Sequence, residues 1–358
     1  MAQSNPVRKE LAFKGLQELS PPEKKTEYFR RLASGWDPEK YSTYRRLWVE
    51  VGEKHLVTDY PLEILFFNTG RCNLKCPMCY TQYDSYKAHR DMSDLSWDTY
   101  KKIIDEVAGK IYSIRMTARG EPTLHARMAD FISYAKSHDI PEFSLISNGS
   151  RLEMKYLKTL LDAGLDWLVI SVDGLDEEYE TVRHPLKFAD TLGKLRALAE
   201  HKEKDGLLKP VVKVQGLWPS VKKDPEKYYN TLEPYADLIE LIPEVNYNPI
   251  TDQDVIMDDL CCPQLWQRMV VEQNGKALPC CTSPDSSFNV LGDLAVQGVR
   301  EIWHGTRLQA LRAAHVRHGG YKRIPMCRDC CMSRQTEFRE SFVVNGRTIY
   351  VEDYIKGK

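Results

Sequence analysis

The chain lacks an excess of charge of one sign beyond a single unit, a long apolar run, and any cysteine across the middle of its length. Its 50 lysines and arginines stand against 51 aspartates and glutamates, a formal net charge of -1. There is no global basic field to hold a polyphosphate chain, so nucleic acid is not an expected partner. The longest apolar stretches, such as 64–67 and 167–170, fall far short of the roughly eighteen residues of a membrane span, and no membrane partner is expected. The opening MAQSNPVRKELAF is charged where a secretory signal carries its apolar core, so a cytoplasmic location is expected. There is no internal repeat and no low-complexity segment. No cysteine lies between 79 and 261, and none follows 331.

What is present is a soluble globular composition, 42% hydrophobic and 28% charged over 358 residues. A chain of that length makes about two domains and buries enough surface to need no disulfide staples. In a reducing compartment the 10 cysteines are therefore read for metal or redox chemistry. They fall into two groups, Cys72, Cys76 and Cys79, and then Cys261, Cys262, Cys280, Cys281, Cys327, Cys330 and Cys331.

Residues 1–59 read as an amphipathic helical extension, with Tyr28, Phe29 and Leu32 and then Tyr44, Leu47 and Trp48 at helical spacing. From 60 to 245 short runs rich in Ile, Val and Phe alternate with segments of period 3.6, which is the βαβ pattern of a parallel sheet. Strands are expected at 62–68, 111–117, 142–147, 167–173, 210–217 and 238–242, with a helix N-cap at Ser96 and a helix stop at Gly109. A cysteine-bearing domain follows at 246–342, in which Asn274-Gly275 suggests a type I′ hairpin. A second Asn-Gly, at 345–346, predicts a C-terminal hairpin tail over 343–358.

Cys72-x3-Cys76-x2-Cys79 follows the first expected strand directly, which places it at the ligand-binding rim of an open α/β sheet. Three thiolates so spaced can hold three irons of a cubane and leave the fourth iron open to a small molecule. A structural zinc site completed by His89, or a ferredoxin-like cluster completed by a distant cysteine, fits the same spacing.

CNLKCPMC, with Met78 before the third cysteine, resembles the cluster loop of radical S-adenosylmethionine (SAM) enzymes, and the resemblance runs over most of 60–340. It implies an α/β fold, a partial (β/α)6 barrel followed by a small cysteine-rich α+β auxiliary-cluster domain. It also implies that Cys72, Cys76 and Cys79 bind a SAM-binding [4Fe-4S] cluster. Arg119-Gly120-Glu121-Pro122 matches the family's RGEP motif and implies a SAM amino-group contact near Gly120 and Glu121. Ser147 and Asn148 resemble its ribose-contacting position, and Ser171 and Asp173 stand at the next strand end. Arg183 either reaches the SAM carboxylate or a substrate anion, or is a solvated helix arginine. His125 reads as a helix-start residue rather than a base. The basic stretch Arg312, His315, Arg317, His318, Lys322 and Arg323 either meets a phosphorylated substrate or forms an exposed basic face.

Cys262, Cys280, Cys327 and Cys330 supply the four thiolates of a closed [4Fe-4S] cluster, and the segment resembles a SPASM/twitch auxiliary domain. A zinc site with four thiolates is the alternative. Adjacent strand residues face opposite ways, so Cys261, Cys281 and Cys331 are expected to be free or directed elsewhere, and any of the three could replace its neighbour as ligand.

The resemblance then implies reductive cleavage of SAM to a 5′-deoxyadenosyl radical, which removes hydrogen from carbon, with flavodoxin or ferredoxin as electron donor. A polyhydroxylated, sugar-like small molecule is the expected substrate. The auxiliary cluster accepting an electron would give dehydrogenation. A thiol of Cys281, Cys261 or Cys331 returning hydrogen would give epimerisation. A peptide-modifying maturase and a non-enzymatic iron-sulfur or zinc protein are the alternatives. The first is disfavoured because such maturases often carry a leader-recognition domain larger than the 59-residue extension.

Overall fold

The computed structural model describes residues 17–87, 90–117, 119–243, 245, 250–282 and 289–355. Its central feature is a ten-stranded sheet. The strands are β1 (Gln17–Glu18), β2 (Glu63–Phe66), β3 (Ser113–Met116), β4 (Glu142–Ser147), β5 (Trp167–Ser171), β6 (Val211–Leu217), β7 (Leu238–Ile242), β8 (Arg268–Val271), β9 (Lys276–Leu278) and β10 (Gly292–Asp293), in the spatial order β1-β7-β6-β5-β4-β3-β2-β8-β9-β10. β2 to β7 are the six expected parallel strands, each within two residues of its expected ends or shorter inside them.

Helices of eight residues or more are α1 (Pro22–Leu32), α2 (Pro38–Glu53), α3 (Trp97–Val107), α4 (Met128–Lys136), α5 (Met154–Asp162), α6 (Phe188–Lys204), α7 (Pro225–Leu232) and α8 (Thr306–Val316). Ser96 caps α3 by accepting the Thr99 N–H at 3.0 Å, and the chain leaves that helix through Gly109 at φ +66°. Tyr100, Ile103, Ile104 and Val107 form its buried face and pack with Ile64 and Phe66 in the main core. Period two then sends Leu65 and Phe67 to the opposite, concave side, where they meet Val270 and Leu278.

The auxiliary segment shares the barrel's sheet: β8 pairs in parallel with β2, Glu63 opposite Arg268 and Phe66 opposite Val271. The reason lies in β8 itself, whose four residues are all buried and continue both faces of the barrel wall. The hairpin β8–β9 is not type I′, which needs positive φ at both central residues; only Gly275 has it, at +82°. Its bonds, Gly275 N to Glu272 O at 2.9 Å and Glu272 N to Lys276 O at 2.9 Å, close a three-residue loop instead. The N-terminal segment is not wholly helical, since β1 pairs antiparallel with β7.

The C-terminal hairpin is present as β11 (Thr336–Val344) and β12 (Arg347–Tyr354), starting seven residues before the expected 343. β11 is mostly exposed, so its polar residues give little alternation to read. Asn345 and Gly346 have φ +47° and +74°, as a type I′ turn requires.

α1 closes the barrel floor, with Tyr28 and Leu32 against Val211 and Leu238. Above it lies a buried polar layer. Glu63 meets Arg115 and Arg268, each at 3.3 Å, and Lys213 meets Glu240 at 2.8 Å.

Candidate functional site

The loop after β2 carries Cys72, Cys76 and Cys79 to the carboxyl end of the sheet. A turn between Cys79 N and Cys76 O, 3.0 Å, sets the last two thiols, and the Leu74 N–H donates to Cys72 Sγ at 3.5 Å. All three line one cavity of about 240 Å³. Met78, Gly120, Glu121, Ser147, Asn148, Ser171 and Arg183 line the same cavity, together with apolar Ile146, Leu217 and Ile242. Ten expected residues from five separate stretches of sequence thus converge on one space; Asp173 stands just behind it, paired with Arg183.

Burial pushes the Cys72 thiol up and the Cys76 thiol up to about 11, so as thiolates these two need a cationic partner. A four-iron cluster is such a partner, and the residues present fit it. Among the described residues no three His, Cys, Asp or Glu side chains are gathered tightly enough for a single metal ion. The thiolates of a cubane sit on separate irons and stand wider apart. His89 lies outside the described residues.

Gly120 is where the cluster loop and the RGEP loop touch. A Cβ there would lie 2.4 Å from both the Arg71 and Thr69 carbonyl oxygens, so only glycine lets the two loops meet. The Glu121 carboxylate is buried and held by Thr123 N (3.1 Å), Thr123 Oγ1 (2.6 Å), Ser147 Oγ (2.8 Å) and Asn148 N (2.7 Å). It therefore ties the end of β3 to the end of β4, and Ser147 spends its hydroxyl proton on it. Burial still pushes the Glu121 carboxyl up, so a cation beside it would be stabilised. The Asn148 amide donates to Asn73 Oδ1 at 3.0 Å, on the cluster loop itself.

Arg183 is not on a solvated helix face. It caps the short helix Asp176–Val182 and turns inward, its Nε and Nη2 both 2.5 Å from Asp173 Oδ2. Asp173 and a thiolate at Cys76 both raise its affinity for the proton. The guanidinium is thus a fixed positive charge on the cavity wall.

The auxiliary cysteine doublets all lie outside the strands, so the expected strand alternation does not apply to them. Cys261 faces His55, Sγ to Nε2 3.2 Å, while Cys262 faces the group containing Cys280 and Cys330. The Cys327 thiol is pushed up by burial and then by Cys280, Cys262 and Cys330, which places the four expected ligands in one electrostatic neighbourhood. The Thr282 hydroxyl lies between Cys280 (3.5 Å) and Cys330 (3.6 Å). A hydrogen bond from the Cys331 thiol holds the Cys330 thiol down and pushes Cys331 up. Cys281 packs on the concave side beside Leu65 and Phe67, and it feels the charges of Arg268 and Arg119.

Sequence reasoning missed several contributors. Thr81 Oγ1 meets Cys79 Sγ at 3.1 Å, and Arg119 pairs with Glu272 across the two cysteine regions. The quoted RGEP motif contained Arg119, but nothing local announced a partner 153 residues away. The expected basic face is corrected in part, since Arg317, His318 and Arg323 are exposed and Lys322 half-buried, but two members turn inward. Arg312 and His315 are buried, Arg312 donating to the Leu265 and Trp303 carbonyls at 2.9 Å each. His125 accepts the Arg127 N–H at 3.1 Å just before α4, the helix-start place expected of it.

Comparison with known proteins agrees with this architecture. Residues 68–208 match the Radical SAM superfamily, and 261–331 match SPASM, an iron-sulfur cluster-binding domain. A tungsten-containing aldehyde ferredoxin oxidoreductase cofactor-modifying protein of Pyrococcus furiosus is 31% identical over 152 residues, 41% of each chain. The chain thus spans only about two fifths of that relative's length. BtrN, solved in complex with AdoMet and 2-DOIA, superposes with TM-score 0.53 at 16% identity, over 77% of this chain and 94% of its own. SuiB of Streptococcus suis, bound to precursor peptide SuiA, gives TM-score 0.58 at 13% identity, over 78% of this chain and 73% of its own. Among the described residues no helix is long and apolar enough to cross a membrane. The parallel barrel, the three-cysteine loop at its rim and the matching segments together make 68–208 a domain of the radical SAM superfamily and 261–331 an iron-sulfur SPASM domain whose β8 is joined to its barrel.

Proposed function

We propose that the enzyme cleaves SAM reductively and removes hydrogen from a carbon of a sugar-like small molecule, leading to dehydrogenation or epimerisation. In this reading Cys72, Cys76 and Cys79 hold a [4Fe-4S] cluster, and Cys262, Cys280, Cys327 and Cys330 hold a second. The observation that carries it is the single cavity in which the three thiols meet Gly120, Glu121, Ser147, Asn148, Ser171 and Arg183.

When bound, the cluster and SAM supply one-electron cleavage and hydrogen abstraction, chemistry that no side chain here could perform. The chain's own residues bind, orient and exclude water. Gly120 permits close backbone approach, the buried Glu121 favours a neighbouring ammonium, and Arg183, fixed by Asp173, offers a carboxylate its charge. Ile146, Leu217 and Ile242 keep that wall dry. Flavodoxin or ferredoxin is the proposed electron donor.

A small substrate is favoured over a peptide because α1 is committed to the barrel floor, and α2 packs on the main core through Tyr44 and Val51. Likeness to the peptide-bound SuiB supports the maturase alternative by fold alone. Of the three candidate hydrogen donors, Cys281 is favoured, since it lies on the concave side with Phe67 and within the field of Arg119, a cavity residue. That placement keeps epimerisation beside dehydrogenation.

The test is anaerobic reconstitution followed by iron and sulfide counting and Mössbauer spectroscopy, in wild type and in the Cys72/Cys76/Cys79→Ala variant. About eight irons falling to four, with 5′-deoxyadenosine formed only by wild type, is the expected result. Zinc in place of iron, or no cleavage by wild type, would defeat the proposal.

A further inference from the structure

Cys79 is followed at once by a single turn of 3₁₀ helix, Tyr80–Gln82, closed by the Gln82 N–H on the Cys79 carbonyl at 2.8 Å. The turn brings the Thr81 side chain back to the cysteine, and Thr81 Oγ1 lies 3.1 Å from Cys79 Sγ. Thr81 is buried, 5% exposed, and it lines the same cavity as the three thiols. The Gln82 side-chain amide donates to the same hydroxyl oxygen at 3.2 Å.

The hydroxyl proton of Thr81 faces the sulfur. A cysteine that holds iron is a thiolate with no proton of its own to give, so in this contact the sulfur accepts. Gln82 already supplies the hydroxyl oxygen with a donor, and the Thr81 proton is left for Cys79. The result is a short chain running from the Gln82 amide through Thr81 to the sulfur. The β-branch of threonine narrows its choice of χ1 and holds the hydroxyl there. Cys72 also receives a hydrogen bond, from the Leu74 N–H at 3.5 Å, but a backbone donor comes with any residue except proline. The donor at Cys79 is a property of one side chain.

We propose that Thr81 is a positioning residue that tunes the cluster held by Cys72, Cys76 and Cys79, its hydroxyl drawing charge from the Cys79 thiolate and so making that cluster easier to reduce. The inference rests on the proposed radical SAM reading for the presence of the cluster. A hydrogen bond to a ligating sulfur favours the state that carries one more electron, and such bonds are among the levers that set cluster potentials. The electron enters from the external donor, and the proton stays on the Thr81 oxygen throughout.

The experiment is an EPR-monitored redox titration of the reconstituted enzyme, following the cluster whose signal changes when SAM is added, in wild type, Thr81→Val, Thr81→Ala and Thr81→Ser. Valine keeps the shape of threonine and removes the proton, alanine removes both, and serine keeps the proton. At the wild-type midpoint the reduced-to-oxidised ratio of that cluster is expected to fall about tenfold in Thr81→Val and Thr81→Ala, which is about 59 mV for a one-electron couple, and to stay within about threefold in Thr81→Ser. The second cluster is the internal reference and should not move. A midpoint belongs to whatever cluster is present, so partial loading of a variant cannot imitate the shift. Deuterium ENDOR of the reduced cluster in heavy water should show a coupled deuteron in wild type and Thr81→Ser that the other two variants lack. An unshifted midpoint in Thr81→Val or Thr81→Ala, a serine variant as low as they are, or an equal shift of both clusters would overturn the inference. Absence of any SAM-responsive cluster in wild type would instead sink the proposed chemistry, and the inference with it.

Discussion

Arg119 on the RGEP loop and Glu272 on the auxiliary hairpin form a buried ion pair, Nη1 to Oε1 2.5 Å, each side chain 3% exposed. The guanidinium also lies over Phe67 and Tyr86, 5.0 and 5.6 Å from their ring centroids. The two cysteine regions are thereby fastened to each other by charge as well as by the β2–β8 ladder. Arg119→Met would leave the Glu272 carboxylate buried without its cation, at an expected cost of about 3–5 kcal/mol in urea unfolding. The double variant with Glu272→Leu should recover at least about 1 kcal/mol of that loss; a double variant as unstable as the sum of the singles would show the pair to be uncoupled.

The cysteine doublets give a second prediction. Cys280 faces Cys330 and Thr282, whereas Cys261 faces His55. Cys280→Ala is expected to lose about four irons per chain, and Cys261→Ala to keep its full complement. Iron analysis after identical reconstitution decides it, and loss in both variants would mean that Cys261 is a ligand.

Gly120→Ala tests the approach of the two loops. The new methyl carbon meets backbone oxygens, which cannot swing aside as a flexible side chain would. SAM affinity is expected to fall by at least about tenfold in equilibrium dialysis, because the loop that carries the first cysteines must move. Unchanged affinity would show that the loops can separate without consequence.

Glu142 on β4 predicts a pH dependence. Burial pushes its carboxyl up from 4.5 to about 7, with Arg115 opposing and Glu63 and Asp166 adding to the rise. A raised acid is bound more tightly to its proton in the folded chain than in the unfolded one. Its ionisation therefore costs stability progressively as pH rises from about 4.5 to 7, by roughly 3 kcal/mol in all, and no more above that. Glu142→Gln should remove this slope from urea-unfolding curves taken between pH 5 and 8. A slope that persists in the variant would assign the dependence to another group.

The barrel strands were legible because parallel strands covered on both sides read as short β-branched runs, and helix stops such as Gly109 bracket them. The first cysteine site was legible for a related reason: its ligands are close in sequence and follow a strand directly. Contacts between distant segments were not. Nothing in RMVV says that it will lie beside EILF, about 200 residues earlier, since both would suit any wall of the sheet. Arg312 looked exposed because arginine usually is, and its partners are backbone carbonyls that carry no sequence signature. The hairpin turn failed at a finer level, since Asn-Gly serves both the two-residue and the three-residue loop.

Because β8 completes the hydrogen bonding of β2, the barrel has no natural cut point after β7. A fragment ending near 246 would bare the backbone of β2 along its whole length, between Leu65 and Phe67 on one side and Ile64 and Phe66 on the other. Such an open, greasy edge is a template for pairing with another copy. Nascent chains must carry that hazard through about 200 residues of further synthesis, and removing the cysteine-rich segment to simplify the protein would yield aggregates rather than a smaller enzyme.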